Sequence, residues 1–221
     1  FGLRFEYIMQ SRPDGLAQAY TLCENFLDGS PSCLALGDNI FFGHSLTNML
    51  IDASNDVSRS TIFCSQVIDP ERYGVVEFDE NSKIISIEEK PKIPKSNFAV
   101  TGLYFLDGNA PLISKEIKPS ERGEFEIVSV LKHYLDKDLL YAKLMKRGFA
   151  WFDTGTHSSM LQASNFVQMT QEKQGLMVAC LEEIAFNKSW INEEAVIKSA
   201  ELHSKSSYGK YLYKMLNQMT I

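Results

Sequence analysis

The run Ser32 to Leu36, short, apolar and stopped by Gly37-Asp38-Asn39, restricts most strongly what this chain can become. A run of that length, bounded by turn residues, fits a strand buried on both faces in a sheet covered by helices. Ahead of it, Phe5 to Met9 alternates and reads as a strand that stops at Gln10-Ser11-Arg12-Pro13-Asp14-Gly15, and Leu16 to Phe26 has helical spacing. Behind it, after a loop through Gly43, Ser45 to Asn55 reads as a helix and Ser60 to Val67 as a third buried strand. Strand, helix, strand, helix, strand with short connections predicts parallel strands joined by right-handed crossovers. Ligands in such sheets sit beyond the carboxyl ends of the strands, which places Gln10 to Gly15 and Gly37 to Asn39 on one rim.

The middle of the chain changes character. Tyr73 to Asp79 and Lys83 to Lys90 alternate around Glu80-Asn81-Ser82, a hairpin pattern, and Asn97 to Leu106 reads as a further strand. Pro111 to Ile117, Glu124 to Asp136 and Thr156 to Gln171 read as helices, with strands at Leu140 to Met145 and Gly148 to Phe152. From Leu181 onward helical turns are interrupted at Asn187-Lys188 and at Ser206 to Gly209. The expected fold class is α/β, a mixed, mostly parallel sheet flanked by helices. Residues 1–180 would form the core and 181–221 a small helical subdomain.

A net charge of −6 leaves no overall basic field, so a nucleic acid polymer is not an expected partner, whereas local Lys and Arg can still hold a small phosphate. Cys23, Cys33, Cys64 and Cys180 are scattered without CxxC pairing, which reads as reduced thiols serving as small core residues in the cytoplasm. No segment approaches the ~18 consecutive apolar residues of a membrane span.

Asp38 stands where the crevice would open. It is either a turn or helix-cap residue or a Mg²⁺ ligand, since that ion takes one or two carboxylates with phosphate oxygens and water. Asp153, in Trp151-Phe152-Asp153-Thr154-Gly155-Thr156-His157, is the candidate second carboxylate, with a helix N-cap as the plainer role. Lys90 in Glu89-Lys90-Pro91 is an edge charge or a phosphate contact, and Glu89 can accept from sugar hydroxyls. Arg122, just before a helix start, can add a bidentate phosphate contact, and Gly74 either opens a hairpin strand or lets backbone approach a ligand. His44, His133, His157 and His203 share no metal spacing.

Taken in order, Gln10 to Ala19, Leu36 to Phe41, Asp69 to Phe78, Glu88-Glu89-Lys90-Pro91, Ala99 to Phe105, Arg122-Gly123-Glu124 and Trp151 to His157 resemble the glucose-1-phosphate thymidylyltransferases, a family of sugar-phosphate nucleotidyltransferases. The resemblance runs over essentially the whole chain. It implies the nucleotide-diphospho-sugar transferase fold and the reaction of dTTP with glucose 1-phosphate to give dTDP-glucose and pyrophosphate, with Mg²⁺. By motif, Gln10 would pair with thymine, and Pro13, Gly15 and Leu36 would shape the base and deoxyribose site. Asp38 and Asp153 would hold the metal. Gly74, Glu89, Val100 and Tyr104 would line the hexose pocket, with Trp151 beside it, while Lys90 and Arg122 would bind the sugar phosphate.

The family's Gly-rich GxGTRL-type loop, which cradles the nucleotide phosphates, has no counterpart in this chain. The chain therefore reads as N-terminally truncated, with little activity alone and an exposed sheet edge covered by a second copy, a swapped segment or a rearranged N-terminus. A regulatory nucleotide site, usual in the family, would draw on Phe42, Gly43, His44, Glu183 and Ile184, although Asn187 stands where the family commonly has Arg. Two other readings remain open at this point. One is a non-catalytic nucleotide-sugar-binding or oligomerisation module, and the other a related uridylyl- or cytidylyltransferase.

Overall fold

Phe98–Leu106 forms the longest strand, and its Val, Thr, Tyr, Phe and Leu side chains suit a strand with neighbours on both faces. The computed structural model describes residues 1–56 and 58–218. In chain order its elements up to residue 156 are α1 (Gln18–Leu22), α2 (Glu24–Leu27), β1 (Ser32–Ala35), β2 (Asn39–Phe42), α3 (Leu46–Asn55), β3 (Ser60–Gln66), β4 (Gly74–Phe78), β5 (Ile84–Glu89), β6 (Phe98–Leu106), α4 (Ala110–Glu116), α5 (Ile127–Asp136), β7 (Leu140–Met145) and β8 (Ala150–Asp153). By contact the chain forms two compact units, Glu6–Thr156 and His157–Ile221 with Phe1–Phe5.

In the first unit the main sheet runs β5-β4-β6-β3-β7, and β1 also pairs with β6. One edge of β6 carries β3, from Gln66 opposite Phe98 to Thr61 opposite Phe105. Its other edge is shared by β4, with Val75 opposite Ala99, and β1, with Ser32 opposite Leu106. The sheet is mixed and flanked by helices, as expected, but among the described residues β3–β7 is its one parallel pair. The expected predominance of parallel pairing is corrected by the place of β6. Because β1 and β3 are both antiparallel to β6, they run in the same direction, as the strand-helix-strand pattern implies. They are not neighbours, because β6, from much later in the chain, lies between them.

Three local expectations also change. Phe5 to Met9 is not a strand: no strand among the described residues pairs with it, and Phe5, Tyr7 and Met9 are exposed. The helix expected over Leu16 to Phe26 is two short pieces, α1 and α2, meeting at Cys23. Asn39–Phe42, expected as part of a loop, is strand β2, paired antiparallel with β8.

Alternate residues of the sheet face two cores. On one side Ile62, Cys64, Val76, Val100, Tyr104 and Leu106 pack with Ile127, Val130, Leu131 and Tyr134 of α5. On the other, Phe63, Leu103 and Met145 pack with Ala53 of α3 and the half-buried Phe41 and Trp151. Burial on both faces accounts for the near-continuous apolar character of β3. Only Cys64 and Cys180 are buried, while Cys23 is half-buried and Cys33 exposed, so the core role expected of all four thiols holds for two.

The second unit contains α6 (His157–Gln174), α7 (Leu181–Asn187), α8 (Glu193–Leu202) and α9 (Ser207–Gln218). Val196, Ala200, Tyr211, Leu212, Met215 and Cys180 form its core. Ser207 to Gly209, expected as an interruption, opens α9, because Ser206 Oγ accepts from the Gly209 N–H at 3.2 Å as a helix cap does. No helix among the described residues is long and apolar enough to cross a membrane.

Candidate functional site

The candidate site is built on the turn that leaves β1. Leu36 N–H still bonds to Gly102 O at 2.9 Å, Asn39 N–H closes the turn on Leu36 O at 3.2 Å, and β2 then departs to pair with β8. Asn39 lies opposite Asp153 in that pairing. Asp38 is held next to it: its carbonyl accepts from the Thr154 N–H at 2.9 Å and from Thr154 Oγ1 at 2.7 Å. The two sequence-predicted metal carboxylates thus sit on adjoining positions of one two-stranded ribbon. Asp38 caps no helix, since the N-cap of the next one, α3, is Ser45. Among the described residues no group of three or more His, Cys, Asp and Glu forms a metal cluster. A pair of carboxylates is nonetheless the protein share that Mg²⁺ takes when phosphates complete its shell.

Asn39, which sequence reasoning did not assign, organises this corner. Its Nδ2 donates to Asp38 Oδ1 at 2.9 Å, while its Oδ1 accepts from Trp151 Nε1 at 2.6 Å and from the Gly102 N–H at 3.1 Å. Gly102 must lack a side chain, because a Cβ there would stand 2.6 Å from Asn39 Oδ1 and 2.9 Å from Leu36 Cβ. Trp151 packs against Tyr73, with ring centroids 5.1 Å apart.

Tyr73 leads to the second group. Its carbonyl accepts from the Lys90 N–H at 2.9 Å, and Gly74 pairs with Glu89 across the hairpin. A Cβ on Gly74 would lie 3.5 Å from Glu89 Oε2 and 3.6 Å from Val100 Cγ2, so these three predicted hexose-pocket residues converge. Lys90 has φ 42°, a left-handed backbone disfavoured for a non-glycine residue, and doubly so ahead of Pro91. Its Nζ lies 4.0 Å from Glu89 Oε1, and Arg122 Nη1 lies 3.9 Å from the same oxygen. Arg122 also reaches Glu126 at 3.2 Å and Glu124 at 2.7 Å.

Tyr104, buried in β6, senses both groups: burial first, then the charges of Glu89 and Asp153 among others, push its hydroxyl well above the usual range. Burial also raises the Glu89 carboxyl, helped by Glu126 and opposed by Lys90 and Arg122. A carboxyl raised on folding binds its proton more tightly in the folded state, so stability grows as pH falls through that raised value. Ionised Glu89 is therefore destabilising at neutral pH. Glu89→Gln is expected to stabilise the ligand-free protein at about pH 7, with the gain gone by about pH 3, below the ordinary glutamate range, where both states carry the proton. Urea denaturation at the two pH values checks it.

The turn predicted to read the base is stitched to the loop of Arg122. Phe125 N–H bonds to Asp14 O at 2.7 Å and Ala17 N–H to Phe125 O at 3.0 Å. Gly15, at φ 119°, is needed there, because a Cβ would fall 2.4 Å from Phe125 O. Gln10 Nε2 donates to Gly15 O at 3.2 Å and to Gln18 Oε1 at 2.6 Å, while Pro13 is exposed and Leu36 half-buried. Of the residues read as regulatory, Gly43 packs against the Phe149 ring and His44 is exposed. Glu183 and Ile184 belong to α7 in the other unit, where Glu183 Oε2 accepts from Tyr211 OH at 2.6 Å.

Residues 1–170 match the sequence model of the family described as nucleotidyl transferase. Over 212 residues the chain is 50% identical to a glucose-1-phosphate thymidylyltransferase of Xanthomonas campestris pv. campestris, spanning 96% of this chain and 72% of that protein. It is 48% identical over 218 residues to the Neisseria meningitidis protein of the same name, spanning 99% of this chain and 76% of the relative. A solved Bacillus anthracis structure assigned as a glucose-1-phosphate thymidylyltransferase, in complex with sucrose, superposes with a TM-score of 0.67 at 39% identity, covering 75% of this chain and 65% of the other. A UDP-glucose pyrophosphorylase complexed with UDP-glucose gives the same TM-score at 25% identity, covering 75% and 66%.

Proposed function

This chain belongs to the nucleotidyl transferase family, and on that premise we propose that its site serves thymidylyl transfer from dTTP to glucose 1-phosphate, giving dTDP-glucose and pyrophosphate. The observation that supports the proposal is the β2–β8 register, with Asp153 opposite Asn39 and Asp38 bonded to the next residue, Thr154, while Trp151 packs on Tyr73, whose carbonyl accepts from Lys90, and Arg122 lies 3.9 Å from Glu89. Asp38 and Asp153 would hold Mg²⁺, which neutralises phosphate charge when bound. Glu89, Gly74, Val100 and Tyr104 would receive the hexose, with Trp151 beside it, and Gln10, Pro13, Gly15 and Leu36 the thymidine.

The bond change is a direct displacement. A phosphate oxygen of glucose 1-phosphate attacks the α-phosphorus of dTTP as the bond to pyrophosphate breaks, with no covalent enzyme intermediate. The protein's work is placement and charge: Lys90 and Arg122 orient the sugar phosphate and offset the repulsion between two anions. The GxGTRL-type loop is absent from these 221 residues, and each preorganised donor of that kind is worth roughly 10²- to 10³-fold in rate.

Two measurements on the 221-residue chain test the reading. Calorimetry with Mg²⁺ is expected to show tighter binding of dTDP-glucose than of UDP-glucose, whereas the reverse order would make this a uridylyl enzyme. Pyrophosphate release from dTTP and glucose 1-phosphate is expected to run at least about 10²-fold below that of the relatives that carry the loop. Turnover equal to theirs would show that those donors are dispensable.

A further inference from the structure

We propose that Glu126 is a positioning residue of the sugar-phosphate pocket, holding the Arg122 guanidinium where phosphate arrives and away from Glu89; this rests on the assignment of Arg122 above. Glu126 stands just before α5 and is 6% exposed, a degree of burial that carboxylates rarely reach without partners. Its Oε1 accepts from Ser120 Oγ at 3.0 Å and from Arg122 Nη1 at 3.2 Å. Ser120 Oγ also accepts from the Arg122 backbone N–H at 3.2 Å, so one carboxylate oxygen secures both the side chain and, through Ser120, the backbone of Arg122.

Arg122 Nη2 donates to Glu124 Oε1 at 2.7 Å. A guanidinium has about five N–H donors, so these two contacts fix its plane and leave the rest for a phosphate. Nη1 is also 3.9 Å from Glu89 Oε1. Released from Glu126, it would close on Glu89 and mask the carboxylate assigned to the hexose.

Glu126 acts on Glu89 through charge as well. The groups facing Glu89 are Lys90 beside it, Arg122, Glu124 and Glu126 from the loop before α5, and Tyr104 from β6. Lys90 and Arg122 favour its ionised form, and Glu126 and Glu124 oppose it.

The test titrates glucose 1-phosphate into the 221-residue wild type, Glu126→Ala and Glu126→Gln chains from about pH 5 to about pH 8. Loss of one charge-assisted hydrogen bond predicts about tenfold or more weaker binding by Glu126→Ala. Glu126→Gln keeps an acceptor of the same shape and is expected to stay within about threefold of wild type at neutral pH. Because the charge opposing Glu89 ionisation is gone, its acid limb of binding moves to lower pH; the ligand's own phosphate titration is common to all three chains.

Wild-type affinity in a folded Glu126→Ala chain, Glu126→Gln binding as weakly as Ala, or a Glu126→Gln pH profile superimposed on wild type would each overturn the proposal. If Glu126→Ala fails to fold by circular dichroism, the Gln chain decides alone. Absence of binding by wild type would instead overturn the sugar-phosphate assignment.

Discussion

Arg122→Ala is expected to weaken glucose 1-phosphate binding by at least about 10²-fold, because two losses act together. Each charge-assisted hydrogen bond to phosphate is worth roughly 1.5–3 kcal/mol. The substitution also leaves Glu89, Glu124 and Glu126 facing the incoming dianion with Lys90 as the remaining cation among the groups described around Glu89. Arg122→Lys should recover only part of the loss, since a single ammonium cannot grip Glu126 and Glu124 and still present a fork to phosphate. Calorimetric titration of the three chains checks both statements. A folded Arg122→Ala chain with wild-type affinity would remove Arg122 from the pocket.

The second large effect concerns the ribbon carboxylates. Asp153→Asn is expected to abolish the Mg²⁺-dependent share of dTDP-glucose binding, a loss on the order of 10²-fold or roughly 3 kcal/mol, while glucose 1-phosphate binding without metal changes little. Asparagine preserves size and the β2–β8 register, so a fold defect would not mimic this result. Asn39→Ala should fall in between: Asp38 keeps its charge but loses the amide that orients it, and Trp151 loses its acceptor. Equal dTDP-glucose binding by wild type and Asp153→Asn across a Mg²⁺ series would contradict the metal role.

Which parts of this were legible in the sequence follows from the range of each interaction. The hairpin of β4 and β5, the turn after β1 and the helix α5 rest on local alternation, turn chemistry and spacing, and those signals lie in the residues themselves. The insertion of β6 between β1 and β3 does not, because it depends on pairing between Ser32–Ala35 and a strand that begins at Phe98. Likewise β2 has no local pattern strong enough to mark it, and only its distant partner β8 makes Asn39–Phe42 a strand.

The site divides along the same line. Asp38, Glu89, Lys90, Arg122 and Asp153 announce themselves as charges at strand ends or beside a glycine. Their convergence cannot be read from spacing; Trp151 meets Asn39 across a separation of 112 residues. Asn39 and Glu126 went unassigned because their role is to hold other functional residues. For Asn39 a signal was present in Gly37-Asp38-Asn39, where an amide follows a candidate ligand at the end of a buried strand. Glu126 gave none, since an acid two residues after another acid at a helix start reads as an ordinary first-turn charge.

The central claim is that this chain carries a working sugar-phosphate pocket from the family's active site. Titrating glucose 1-phosphate into the purified 221-residue chain, with glucose and inorganic phosphate as the two halves of the ligand, tests it most directly. The prediction is saturable 1:1 binding of glucose 1-phosphate, at least about tenfold tighter than either half, because on the proposed assignment Glu89 and Arg122 would grip opposite ends of one molecule. No binding, or binding no tighter than that of inorganic phosphate, would contradict it.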